Sequence, residues 1–171
     1  MSASLVGSEM CIRDSSYPLQ QVGVEDKALV KAYSDDFFAE IVFKKKTMPH
    51  AVEALEYLSS KYNLYILSNG FRELQEQKMR SAGVDKYFKK VVLSEDIGVH
   101  KPFPEIFYFA MSATQSELHT SLMIGDNWEN DIAGAKDAGL GQVFYNVKKT
   151  TKFSFQPTGI IEDWNEIGKI L

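Results

Sequence analysis

Cysteine is nearly missing from this chain of 171 residues: Cys11 stands alone, so no disulfide can staple the fold from within. That scarcity is compatible with the reducing cytosol, and a cytoplasmic protein is the expectation. Long apolar runs are lacking too, which excludes a membrane-spanning helix of ordinary length. Positive charge is sparse and scattered. The formal net charge is -4, and the basic clusters "FKKKT" (Phe43–Thr47) and "VKKTTK" (Val147–Lys152) are short, so neither nucleic acid nor a membrane is an expected partner. There is no internal repeat. What is there, 44% hydrophobic and 25% charged residues, is the composition of one globular domain able to bury a core.

The first residues lack periodicity of any kind. "SLVGSEMCIRDS", Ser4–Ser15, has neither helical nor strand spacing, no signal-peptide order of charge then apolar core, and no turn chemistry leading onward. It resembles the in-frame translation of a transposase mosaic-end sequencing adaptor. Residues 1–15 are therefore expected to be a non-native tail that packs against nothing.

Beyond it the pattern is regular. "VEDKALVKAYSDDFFAEIVF", Val24–Phe43, places Leu29, Tyr33, Phe37 and Ile41 at helical spacing, and Pro49 is expected to open a second helix through Tyr62. "LYILS" (Leu64–Ser68) precedes a helix from about Arg72 to Ala82 that Gly83 stops; "KVVLS" (Lys90–Ser94) precedes one from about Pro104 to Thr114. The strand "SLMIG" ends at Gly125, with a helix from Asn130 onward that Asn130 or Asp131 caps and Gly139 stops. "QVFYN" (Gln142–Asn146), a short strand near Ile160 and a terminal helix complete the series. Continuous apolar strands separated by helices predict an α/β fold, a three-layer, Rossmann-like parallel sheet with helices on both faces.

Each of these strands ends in polar groups. In "LSNG", Ser68, Asn69 and Gly70 offer a hydroxyl and backbone N–H groups that can bind phosphoryl oxygens; Ser68 could equally cap the following helix. Lys101 precedes Pro102, which makes its backbone extended, so its long cationic side chain can reach along the sheet edge or lie solvated. His100 beside it reads as an exposed loop residue. Asp126 sits at a strand's carboxyl end and Asp131 in the first helical turn, facing back toward it. Two hard oxygen donors in the crevice beyond parallel strands suit magnesium; a helix cap and a turn residue are the plainer reading of the same pair.

The order of these features carries more than any one of them. "LSNG", "GVHKPFPEIF" and "GDNWENDIAGAKDAG" resemble the second, third and fourth motifs of the haloacid dehalogenase superfamily, with the branch of noncanonical pyrimidine 5'-nucleotidases the nearest in pattern. That resemblance implies a phosphatase with Mg2+ as cofactor and a small phosphate ester, a nucleoside 5'-monophosphate with pyrimidine preferred, as its partner. In the family an Asp of a DxDxT motif attacks phosphorus to give an aspartyl-phosphate, and a second Asp serves as acid and base. Ser68, Asn69 and Gly70 would hold the phosphoryl group, Lys101 would neutralise charge, and Asp126 with Asp131 would anchor the metal.

One part of the pattern is absent. No DxD occurs before Ser68, and "SDDFF" (Ser34–Phe38) falls within a helix. The expectation is an N-terminally truncated chain: residues 16–47 the remnant of a helical cap, residues 48–171 the α/β core without its first central strand, and the fragment inactive. The sheet should then have an unpaired slot beside the strand of Ser68. Three alternatives compete. A haloacid dehalogenase needs no metal and lacks the paired-Asp pattern; a response-regulator receiver carries its acidic pair first in the chain rather than last. The third is a non-catalytic binding module. Another small-phosphoester phosphatase of the same superfamily is the alternative within the family. Phe71 and Arg72 could touch a nucleoside or be solvated, and Trp128 could line the entrance or cover its loop.

Overall fold

The computed structural model describes Leu19, Gln21, Gly23 and residues 26–42 and 45–171. The expectation for residues 1–15 falls outside them. The described chain divides into two compact units, one running up to Lys46 and including Gly70–Gly83, the other made of Thr47–Asn69 and Val84–Leu171.

The first unit holds α1 (Lys27–Val42) and α3 (Arg72–Ala82), so the segment after "LSN" groups with the N-terminal helix rather than with the strands. Asp26 begins α1, its carboxylate accepting from the Ala28 and Leu29 amides at 2.8 and 3.3 Å. The helix forms where the helical spacing predicts it. Leu29 and Tyr33 are 50% and 41% exposed while their neighbour Val30 is buried; the side chains of Phe37 and Ile41 lie outside the description. α3 ends at Gly83, whose φ of 68° supplies the left-handed stop that glycine adopts without strain.

The second unit is the sheet with its helices. α2 (Ala51–Lys61) starts later than expected, because His50 takes a φ of 57° and cannot belong to the helix that Pro49 would have opened. β1 (Leu64–Ser68) pairs in parallel with β2 (Phe88–Leu93), Ser68 standing opposite Leu93. After α4 (Pro104–Thr114), β3 (Leu122–Gly125) pairs in parallel with β4 (Gly141–Tyr145), and β4 with β5 (Gly159–Ile161). Between β3 and β4, a π-helical turn (Trp128–Ala133) runs into the short α5 (Gly134–Asp137). A 3-10 turn, Trp164–Lys169, closes the chain.

Strand alternation divides the core into two faces. Leu64, Leu122, Ile124, Val143 and Tyr145 pack with Ala54 and Leu58 of α2 and with Ile167. Leu67 and Met123, one step out of phase, pack with Ile106 and Phe107 of α4 and Ala135 and Ala138. Helices thus cover both faces of parallel strands, as expected. Among the described residues the pairing is interrupted: β1 bonds only to β2, and β3 only to β4, so the two parallel blocks share no ladder.

Candidate active site

Lys101 is the residue that joins the two blocks. Its Nζ donates to the Leu67 carbonyl oxygen of β1 at 2.8 Å and to Asp131 Oδ1, beyond β3, at 2.6 Å. The two side chains are only 10% and 8% exposed. Burial at that depth is costly for either side chain without its partner, so the two are held as a pair. The main chain of Lys101 is fixed as firmly: the Asn69 carboxamide accepts from its N–H at 2.8 Å and donates to its carbonyl at 3.0 Å, beside a cis Lys101–Pro102 peptide.

Asp131 is held from its other side by the turn it belongs to. Its Oδ2 accepts from the Asn127 amide at 3.1 Å, and it lies directly over Gly125, where a Cβ would come within 2.4 Å of that same oxygen. The helix cap is Asn127, whose side chain accepts from the Asn130 amide at 2.9 Å. Asn130 and Asp131 were expected to cap; the turn instead begins earlier, because the Asn127 carbonyl already accepts from the amides of Asp131 and Ile132 at 2.9 and 3.4 Å. Gly139, with φ of 88°, does mark the end.

Asp126 differs from Asp131 in every respect. It is exposed, and among the described residues its carboxylate accepts no hydrogen bond and joins no ion pair. Lys101 and Asp131 cancel, so with Asp126 the edge is formally negative. A phosphate dianion would be repelled there without added positive charge. The carboxylates at hand, Asp126 and Asp131, are hard oxygen donors of the kind that suit magnesium. Among the described residues no group of three or more His, Cys, Asp or Glu that could hold a metal ion is found.

The remaining expected residues are placed as follows. Ser68 is half-buried at the end of β1 and does not cap α3, whose cap position is Phe71, without a side-chain bond. The side chain of Asn69 is committed to Lys101, which leaves its backbone N–H for any role toward phosphate. Gly70 opens the segment that groups with the first unit. His100 is exposed and stacks on Phe103 with ring centroids 5.2 Å apart. Sequence reasoning missed the Asn69–Lys101 clasp and the Asn127 cap. The second was readable, since Asn at a strand-to-helix turn is a favoured cap.

A haloacid dehalogenase-like hydrolase family profile matches residues 5–139. The chain belongs to that family. Among its relatives, pyrimidine 5'-nucleotidase YjjG of Escherichia coli (strain K12) is 35% identical over 118 residues, 68% of this chain and 51% of that protein. Glyceraldehyde 3-phosphate phosphatase of Methanothermobacter thermautotrophicus is 30% identical over 128 residues, 74% of this chain and 57% of its own length. The chain thus spans little more than half the length of these curated relatives. YfnB of Bacillus subtilis, whose crystal structure is bound to magnesium, superposes with a TM-score of 0.83 at 28% identity, covering 95% of this chain and 71% of that one. For a haloacid dehalogenase-like chain the parallel α/β architecture is the expected one. Among the described residues no helix is long and apolar enough to cross a membrane.

Proposed function

We propose that the edge formed by Ser68, Asn69, Lys101, Asp126 and Asp131 is the charge-binding part of a magnesium-dependent phosphomonoesterase acting on a nucleoside 5'-monophosphate, pyrimidine before purine, in the cytoplasm. The observation that carries the reading is the buried Lys101–Asp131 pair beside the exposed Asp126. Magnesium, when bound, offsets the repulsion between a phosphate and an attacking carboxylate. Asp126 would hold it through its carboxylate, while Asp131 keeps Lys101 and the Asn127 turn in place. Lys101 presents one ammonium hydrogen toward the phosphoryl oxygens while its others stay on Leu67 and Asp131. Ser68 and the Asn69 amide hold the phosphoryl group. The family's sequence relatives, a nucleotidase and sugar-phosphate phosphatases among them, support a phosphate ester as substrate and leave the leaving group open to this proposal.

The chain carries no DxDxT before Ser68, and on this reading Asp126 and Asp131 are committed to the metal and to Lys101 rather than to attack on phosphorus or protonation of a leaving alcohol. The expectation that goes with it is that the 171-residue chain is inactive alone. The test is phosphate release from a nucleotide panel, with and without chelator, by this chain and by a longer protein in which a DxDxT strand and a cap are fused ahead of it. Chelator-sensitive release by the longer protein only, fastest with pyrimidine nucleotides, is the expected result, and Lys101→Ala in that protein should lower turnover by about a hundredfold or more. Metal-dependent turnover by the chain itself would show that the nucleophile lies elsewhere in it.

A further inference from the structure

The proposed site leaves one ligand without support of its own. Asp131 is tied by Lys101 and by the Asn127 amide, but the exposed Asp126 has only its backbone to place it. What fixes that backbone is two residues on. The Trp128 ring lies against Phe144 of β4, Phe153 and Phe155, with centroids at 5.3, 4.9 and 4.8 Å, and its indole N–H donates to Ser154 Oγ at 3.3 Å. Phe144 and Phe153 also meet edge to face at 5.9 Å, so the cluster is closed rather than a string of pairs.

The strap that supplies Phe153 and Phe155, residues 146–158 between β4 and β5, is itself pinned. Buried Asn146 accepts from the Thr150 amide and donates to the Thr150 carbonyl, both at 2.9 Å, and Thr158 Oγ1 accepts from the Gln142 amide at 3.0 Å. Phe144 is 5% exposed on β4, the strand paired with β3. The indole is therefore gripped by a rigid strand on one side and a pinned strap on the other.

We infer that Trp128, with Phe153 and Phe155 as its walls, is a positioning residue that holds the Asp126 loop in the geometry needed to ligate magnesium. This rests on Asp126 being the metal ligand proposed above. A flexible carboxylate must be ordered when it binds a metal, and that entropy is subtracted from affinity; a loop anchored in advance avoids it. The aromatic cluster does for Asp126 what Lys101 does for Asp131.

The chain as it stands suffices for the test, through backbone amide chemical shifts of residues 125–131 followed during a magnesium titration. Wild type should respond and Asp126→Asn should not. Trp128→Leu and Phe155→Leu, the second leaving the ligand loop's own sequence intact, should each raise the magnesium midpoint about tenfold or more. Trp128→Phe, which keeps a ring in the socket, should recover to within about threefold of wild type. Unchanged shifts of the β1 and β2 amides, on the ladder that does not carry Phe144, verify that each variant is folded. If wild type responds through Asp126 but Trp128→Leu and Phe155→Leu titrate like it, the positioning role is wrong and the metal site stands. If wild type shows no Asp126-dependent response, the metal reading fails and takes the positioning role with it.

Discussion

A lysine and an aspartate buried together at 2.6 Å constrain each other's substitutions more than either constrains the fold. Lys101→Met leaves the Asp131 carboxylate buried and half unpaired, and should cost about 3–5 kcal/mol in urea unfolding. Adding Asp131→Asn removes that stranded charge while its amide oxygen still accepts from Asn127, so the double variant should regain at least about half of the loss. A double variant no more stable than Lys101→Met would mean the pair is not the coupled unit described. Function should not follow stability: the double variant presents no ammonium to phosphate. Gly125→Ala addresses the same pair from beneath, because a Cβ there would meet Asp131 at 2.4–2.5 Å and push it off Lys101.

Elements place these residues, and their legibility in the sequence follows how local their causes are. β1, α3 and α4 were readable to their ends, since a continuous apolar run, Gly83 and Pro104 mark them without help from distant contacts. The start of α2 was not, because the left-handed turn at His50 goes with a bond from its ring Nδ1 to Asp163, more than a hundred residues away. In the site, the residue types were legible and their division of labour was not. Nothing local says that the Asn69 side chain faces Lys101 or that Asp131 is buried while Asp126 is exposed. Gly134 sits where a Cβ would come within 2.9 Å of Pro102 Cα and carbonyl oxygen, so Gly134→Ala must push the Lys101 loop from α5, costing about 1–3 kcal/mol by thermal or urea unfolding. The C-terminal turn should loosen in acid. Backbone N–H bonds from Asn165 to Asp163, and from Glu162 and Asp163 to Glu166, hold both carboxyls below their ordinary pKa values, with His50 adding to the effect on Asp163. Native values depressed below the unfolded ones stabilise above the ordinary carboxylate range, and that stabilisation is lost as pH falls through the native values. Amide exchange at Asn165 and Glu166 should therefore stay protected at neutral pH and lose protection, ahead of β4, below about pH 4.

At the scale of the whole molecule, two parallel blocks bridged by Lys101 leave one side of β1 and one side of β3 without a ladder partner among the described residues. Open strand edges invite pairing with other chains, so the isolated chain should self-associate as its concentration rises, seen as a growing weight-average mass in analytical ultracentrifugation. A mass independent of concentration would argue that those edges are covered. On the proposed function, the charges of the phosphate-binding edge do not suffice without a divalent cation. The most direct measurement is a titration of the chain with inorganic phosphate, followed by the amide shifts of Ser68 and Asn69, in magnesium and again in chelator. A saturable response is expected in magnesium that disappears with chelator and in Asp126→Asn; phosphate binding of equal strength in chelator, or none in either condition, would contradict the proposed function.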